Sequence, residues 1–162
     1  MEMADKKISI GVVSCSGEDC LGGTISRLAV RKMMDEIRPD ETVTICLPLY
    51  LAGGEEERSF AKDYPTIVVD GCSKCCAKRA TEKYSGSVSA ALDVSDIIGN
   101  EKAGEGPLST RDLTDEHRGM VDKVANEVRK NFEEVYNGYL KNAVVKGLDQ
   151  SGRTPSGGCG CK

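Results

Sequence analysis

The chain has a single histidine, no tryptophan and only two phenylalanines in 162 residues. A mechanism that needs an imidazole can draw on His117 alone. No apolar run approaches the ~20 residues of a membrane-spanning helix. The stretch from Ile8 to Val13 is also too short for the hydrophobic region of a signal peptide. Positive charge is not in excess, since 22 Lys and Arg stand against 26 Asp and Glu for a net charge of -4. A protein that neutralises phosphates needs the opposite balance, so neither a nucleic acid nor a membrane is expected as a partner. What remains is plentiful sulfur: eight cysteines. With no export signal the expected address is cytoplasmic, where thiols stay reduced. Clustered cysteines in that compartment read as metal ligands or redox groups rather than as a disulfide framework.

The apolar pattern is that of an α/β protein. Ile8 to Ser14 reads as a short buried strand rich in β-branched residues. Leu21, Ile25, Leu28, Ala29, Met33 and Ile37 then fall on one helical stripe that ends at Arg38-Pro39-Asp40. A second strand is expected from Thr42 to Leu47, a charged helix from Glu55 to Lys62, and a third strand at Thr66-Ile67-Val68-Val69. Ser73 to Tyr84 reads as a helix with Ser73 as its N-cap, and Val88 to Leu92 as a fourth strand. Residues 95–110 read as a loop. Thr114 caps the clearest amphipathic helix, whose apolar positions run from Val121 through Phe132 to Tyr139. The alternation predicts a three-layer fold with a small, mostly parallel sheet of about four strands, helices on both faces and a long C-terminal helix. Residues 1–143 are expected to form one domain. Residues 144–162, rich in Gly, Ser and charge, are expected to form a flexible tail ending in Cys159-Gly160-Cys161, a candidate dithiol arm.

Cys15 closes the first predicted strand, Cys46 lies at the end of the second, and Cys72 follows the third. In a parallel sheet those ends share the carboxyl edge, where doubly wound folds place their ligands. Cys20, Cys75 and Cys76 belong to loops and helix starts at the same edge. Zinc takes four thiolate or imidazole ligands, and with one histidine such a site would be almost entirely sulfur. Lys74, Lys78, Arg79 and Lys83 would offset its negative charge, and the helix start after Cys72 is expected to favour thiolate over thiol. Cys72-Ser73-Lys74-Cys75 is also a C-x-x-C, a spacing shared with thiol oxidoreductases. Asp70 reads as a turn-forming or helix-capping carboxylate, and with Glu18 it is the only acid–base group near the cysteines to nominate.

At these residues the chain resembles the DGC-domain family, whose central Asp-Gly-Cys stands here as Asp70-Gly71-Cys72. The likeness runs from Ile8 to about Leu92. It includes Cys15-Ser16-Gly17, Cys46 ahead of Gly53-Gly54, and Cys76-Ala77-Lys78. Members are described as zinc-binding through about four shared cysteines, without an established biological role. The resemblance implies Cys15, Cys46, Cys72 and Cys76 as ligands, with Cys20 a fifth candidate. Cys75 is an additional neighbour, so the fourth ligand stays open among Cys75, Cys76 and Cys20. The Pro48-Leu49-Tyr50 insertion and the long last helix with its tail stand outside the expected family core.

The leading expectation is a cytosolic protein that binds one zinc ion, for storage, transfer or as a stabilised module. Two alternatives remain at this point. One is a thiol–disulfide oxidoreductase or sulfur-transfer enzyme that uses Cys72 with Cys75 or Cys76. The other is an iron–sulfur protein, since those clusters also take four thiolates.

Overall fold

A computed structural model describes residues 8–15, 17 and 19–145, with side chains through residue 142. Four strands form one sheet: β1 (Ile10–Ser14), β2 (Thr42–Val43), β3 (Thr66–Asp70) and β4 (Ala90–Asp93), in the spatial order β2-β1-β3-β4. All three pairings are parallel, with Val12 opposite Ile67 and Asp70 opposite Asp93. The connections are helices, as a parallel sheet requires. They are α1 (Leu21–Lys32), which ends in a wider π turn at Met33–Ile37, then α2 (Leu49–Ala52), α3 (Glu55–Asp63) and α4 (Cys76–Tyr84). After β4 come α5 (Val94–Ile98), α6 (Asn100–Ala103), a 3-10 turn at Thr110–Asp112, and α7 (Asp115–Val145).

Strand alternation sends side chains to two separate cores. Ile10, Val12, Ile67 and Val69 pack with Leu21, Ile25, Ala29 and Met33 of α1 and with Val124, Val128 and Phe132 of α7. Val13 and Val68 face the other way, into a smaller core with Tyr50, Phe60, Ala77 and Cys15. The sheet is therefore covered on both faces, the expected three-layer arrangement, and the two interior strands are apolar on both sides. The stripes predicted for α1 and α7 are the buried ones. Tyr139, the last expected apolar position of α7, is partly exposed.

Three local expectations are corrected. The second strand pairs over Thr42–Val43 only, because the carbonyl of Cys46 accepts from Leu49 N at 2.9 Å and so opens the turn into α2. Cys46 therefore stands in an exposed loop rather than at a strand end. Residues 95–110 hold most of two short helices as well as loop. Asp93 caps the first by accepting from Ser95 N at 2.8 Å, and Gly99, at φ +95°, separates the two. The third correction concerns the start of α4, beside the cysteines.

α7 runs from one edge of the sheet past the other. At its start Glu116 pairs with Lys102 at 3.4 Å. Near its end Tyr139 and Asn142 share a cleft with Pro65 and Ser87, which precede β3 and β4. His117 is half-buried, and its ring lies 2.8 Å from Thr114 Oγ1, in the helix cap predicted at Thr114. Among the described residues no helix is long and apolar enough to cross a membrane.

Candidate functional site

The order β2-β1-β3-β4 reverses direction between β1 and β3, and in open α/β sheets the crevice beyond the carboxyl ends of such a strand pair is where ligands bind. Cys15 follows β1 and Cys72 follows β3, so the switch point is bordered by sulfur on both sides.

Cys15 is buried beneath this crevice. Its backbone N–H extends the sheet by donating to Val69 O at 3.1 Å, and its Sγ accepts from Gly71 N at 3.3 Å. Ser26 of α1 lies 4.0 Å from the same sulfur and donates its hydroxyl to Val69 O at 2.6 Å. Burial raises the Cys15 thiol above its usual range, and the Gly71 and Ser26 hydrogen bonds only partly offset this. Ser26 carried no signal in the sequence, since a serine inside a helical stripe reads as a neutral filler.

The loops beyond β1 and β3 touch through their backbones. A Cβ placed on Gly22 would lie 2.0 Å from Gly71 O, and one on Gly71 would lie 2.3 Å from Gly23 N. Only glycine permits that approach. Across it, Asp19 pairs with Lys74 at 2.8 Å. The Cys20 thiol lies near enough to Cys72 to affect its ionisation. The Lys74 N–H draws the Cys72 thiol down, but burial and Cys20 together leave it above its ordinary value.

The expected helix at Ser73 begins at Cys76 instead. Cys75 N donates to Cys72 O at 3.1 Å in a turn, and Cys75 itself is left-handed, at φ 50° and ψ 47°. The cap comes from Asp70, 2% exposed, whose carboxylate accepts from Ala77 N at 2.6 Å and Lys78 N at 3.0 Å. The reading of Asp70 as a capping carboxylate holds, and Ser73 is not the N-cap. With a carboxylate on those N–H groups the helix start cannot favour a thiolate as expected. Cys75 is likewise raised, first by burial and then by the charges of Asp70 and Asp93.

A left-handed cysteine stores strain at the rim. Cys75→Gly is expected to be about 1 kcal/mol more stable than Cys75→Ala in urea melts, because only glycine relieves the backbone. Equal stabilities would show that the turn is not strained.

The thiols influence one another in small groups: Cys20 affects Cys72, Cys76 affects buried Cys15, and Cys75, raised first by burial, feels the carboxylates of Asp70 and Asp93. Cys46 is exposed in its loop. Glu18, Cys159 and Cys161 lie outside the described residues. The donor chemistry suits a soft cation, but among the described residues no three His, Cys, Asp or Glu side chains are gathered in a set that could hold a metal ion.

No curated protein and no solved structure matches this chain. The DGC domain matches it over residues 11–131, which takes in all of the sheet but Ile10, the glycine contact, all six described cysteines and the first half of α7. That span reaches well past Leu92, so the early turns of the last helix belong to the family core. The chain is a member of the DGC-domain family.

Proposed function

We propose that the crevice between β1 and β3 is a thiolate site for one zinc ion, with a ligand set drawn from Cys15, Cys20, Cys72, Cys75 and Cys76. The observation that carries this reading is the contact between the two loops. Residues about fifty positions apart meet at one switch point, where the Gly71–Cys15 hydrogen bond, the Gly22–Gly71 backbone contact and the Asp19–Lys74 ion pair hold the segments that bear Cys15, Cys20 and Cys72. Cys46 was expected on the same edge, and its exposed loop supports it less. An ion bound there would fix the loops to one another as a cross-link of Zn–S bonds. Side-chain rotation would have to turn the paired thiols into a four-donor set. Storage or transfer of the ion by a cytosolic protein is the role in keeping with such a site.

Thiol–disulfide exchange as the primary activity is less well supported, because Cys15, Cys72 and Cys75 all lie above their ordinary values and the nucleophile is the thiolate. An iron–sulfur cluster would need the same four thiolates and is told apart by colour.

The test is cobalt titration of the reduced, metal-free full chain, followed by competition with zinc. One equivalent of cobalt is expected to give intense thiolate-to-metal charge-transfer absorption, which one equivalent of zinc abolishes. Cys72→Ser is expected to weaken binding by at least about 100-fold, since disturbing groups that merely support a ligand costs 10- to 100-fold. A chain that binds neither ion, or binds them equally well as Cys72→Ser, overturns the proposal.

A further inference from the structure

We propose that Cys20 and Cys72 form an oxidisable pair, whose disulfide joins the loop after β1 to the loop after β3. The inference goes beyond the zinc reading, although it uses two of the same sulfurs, and it holds whether or not an ion binds.

Three features of the rim bring the pair together. The Gly22–Gly71 contact lays the start of α1 against the residue preceding Cys72, at a separation that no side chain permits. The Asp19–Lys74 ion pair, at 2.8 Å, joins the neighbours of the two cysteines across the same gap. Between these two ties stand the two cysteines, Cys20 two residues before Gly22 and Cys72 next to Gly71, and Cys20 is near enough to influence the Cys72 thiol. Cys20 is the N-cap residue of α1, yet its side chain makes no capping hydrogen bond and is free to turn toward Cys72. Both thiols are partly accessible, so a small oxidant can reach them, whereas Cys15 is buried.

The obvious rival partner of Cys72 is Cys75, three residues on. Cys75 is left-handed in the turn that its N–H makes to Cys72 O, whereas Cys20 faces Cys72 across the glycine contact and the Asp19–Lys74 pair. Cys72 is therefore assigned to the partner across the rim rather than to its sequence neighbour. The C-x-x-C spacing suggests a local pair, while the fold offers a pair that spans the switch point.

The oxidant is a small-molecule disulfide of the glutathione class. One protein thiolate attacks a sulfur of that disulfide, breaks its S–S bond and expels one small thiolate, leaving a mixed disulfide on the protein. The second protein thiolate then attacks the protein-side sulfur, forms the Cys20–Cys72 bond and expels the other small thiolate. The protein loses two electrons and two protons, and the oxidant becomes two thiols. A pair joined in this way no longer offers two thiolates to a metal, so oxidation and ion binding oppose one another.

Proteolysis can read the connection directly. Cleavage after Lys7, Arg27, Lys62, Lys74 and Lys78 separates Cys72 (residues 63–74) from Cys75 and Cys76 (residues 75–78), and cleavage after Glu18 separates Cys15 from Cys20. The metal-free full chain is incubated with oxidised glutathione, its remaining thiols are alkylated, and the digest is read by mass spectrometry. The expected major product containing Cys72 joins residues 19–27 to residues 63–74. It disappears in Cys20→Ser and persists in Cys75→Ser. Linkage of Cys72 to residues 75–78, linkage to Cys15, or a Cys72 that stays alkylated would overturn the pair. Cobalt titration of the reduced chain separates this outcome from the zinc reading. Binding of cobalt without the link removes the oxidisable pair alone, and the link without cobalt binding removes the zinc site alone.

Discussion

Gly22→Ala is expected to destabilise the protein by about 2–3 kcal/mol, against the direction that helix propensity alone would give. Gly22 lies in the first turn of α1, where replacing glycine by alanine should contribute about 1 kcal/mol of stability. Here the added methyl would fall 2.0 Å from the backbone carbonyl oxygen of Gly71 and 3.1 Å from Ala103 Cβ. A backbone carbonyl at the end of a central strand cannot turn aside as a side chain can. Relief requires the two loops to part, and forcing extra atoms into a packed site costs about 1–3 kcal/mol, occasionally more. Gly138→Ala is the internal control. It lies in α7 with nothing within 4 Å of the added methyl, so it should show the propensity gain alone. The measurement is urea denaturation of the three proteins. A stabilised Gly22→Ala would mean that the loops are not in contact and do not present their cysteines to one site. The oxidative link between residues 19–27 and 63–74 should fall in yield in the same variant, since parted loops no longer present Cys20 to Cys72.

That glycine contact also marks where sequence reading stops. Periodicity exposes what each segment buries against the sheet, which is why β1, β3, α1, α3 and α7 were legible to within a few residues. Leu21, Ile25, Ala29 and Met33 form a stripe whatever they pack against. The alternation of strands and helices sufficed for a parallel, two-faced sheet. It did not show that β1 and β3 are neighbours at the point of reversal, because spatial strand order is a long-range property.

The misses fall where caps and single hydrogen bonds, rather than an apolar period, set the bounds of an element. α4 begins three residues later than its local signals suggest because Asp70, six residues upstream of its first residue, supplies the cap. The short helices after β4 have no apolar period of their own and depend on Asp93 and Gly99. Cys46 looked like a strand residue because Val43, Ile45 and Leu47 alternate with polar neighbours. The segment follows that alternation, with those three residues packed on the smaller core, but makes no ladder beyond Val43. For the site, the sequence put Cys15, Cys20 and Cys72 at the carboxyl edge of the sheet, and in the structure Cys15 follows β1, Cys20 precedes α1 and Cys72 lies just beyond β3. Sequence reading missed that the surroundings raise the Cys15 and Cys72 thiols, since burial of Cys15 and occupation of the α4 start by Asp70 are tertiary facts.

Asp70 yields the second large effect. Asp70→Ala removes both acceptors at the start of α4 and leaves the N–H groups of Ala77 and Lys78 without partners. Ala77 is fully buried, so water cannot readily take the place of the carboxylate there. Loss of an N-cap costs about 0.5–2 kcal/mol and an orphaned buried donor about 1–3 kcal/mol, and together they give an expected loss of about 2–4 kcal/mol. Burial makes the pH dependence unusual for a carboxylate. It lifts the Asp70 carboxyl above its ordinary 3.8, the two N–H bonds and Lys78 offset this only in part, and Asp93 adds to the rise. The folded chain therefore holds this proton more tightly than the unfolded chain does. The resulting contribution to stability is fully present below the unfolded value of 3.8 and is lost as pH rises through the higher folded value. Asp70→Asn carries no such proton. Its stability, subtracted from that of the unsubstituted chain in parallel urea melts, should leave a difference that favours aspartate most at low pH and shrinks as pH rises through that window. A difference that stayed flat, or grew with pH, would show that the N–H bonds outweigh burial and that the carboxylate is stabilised in its ionised form.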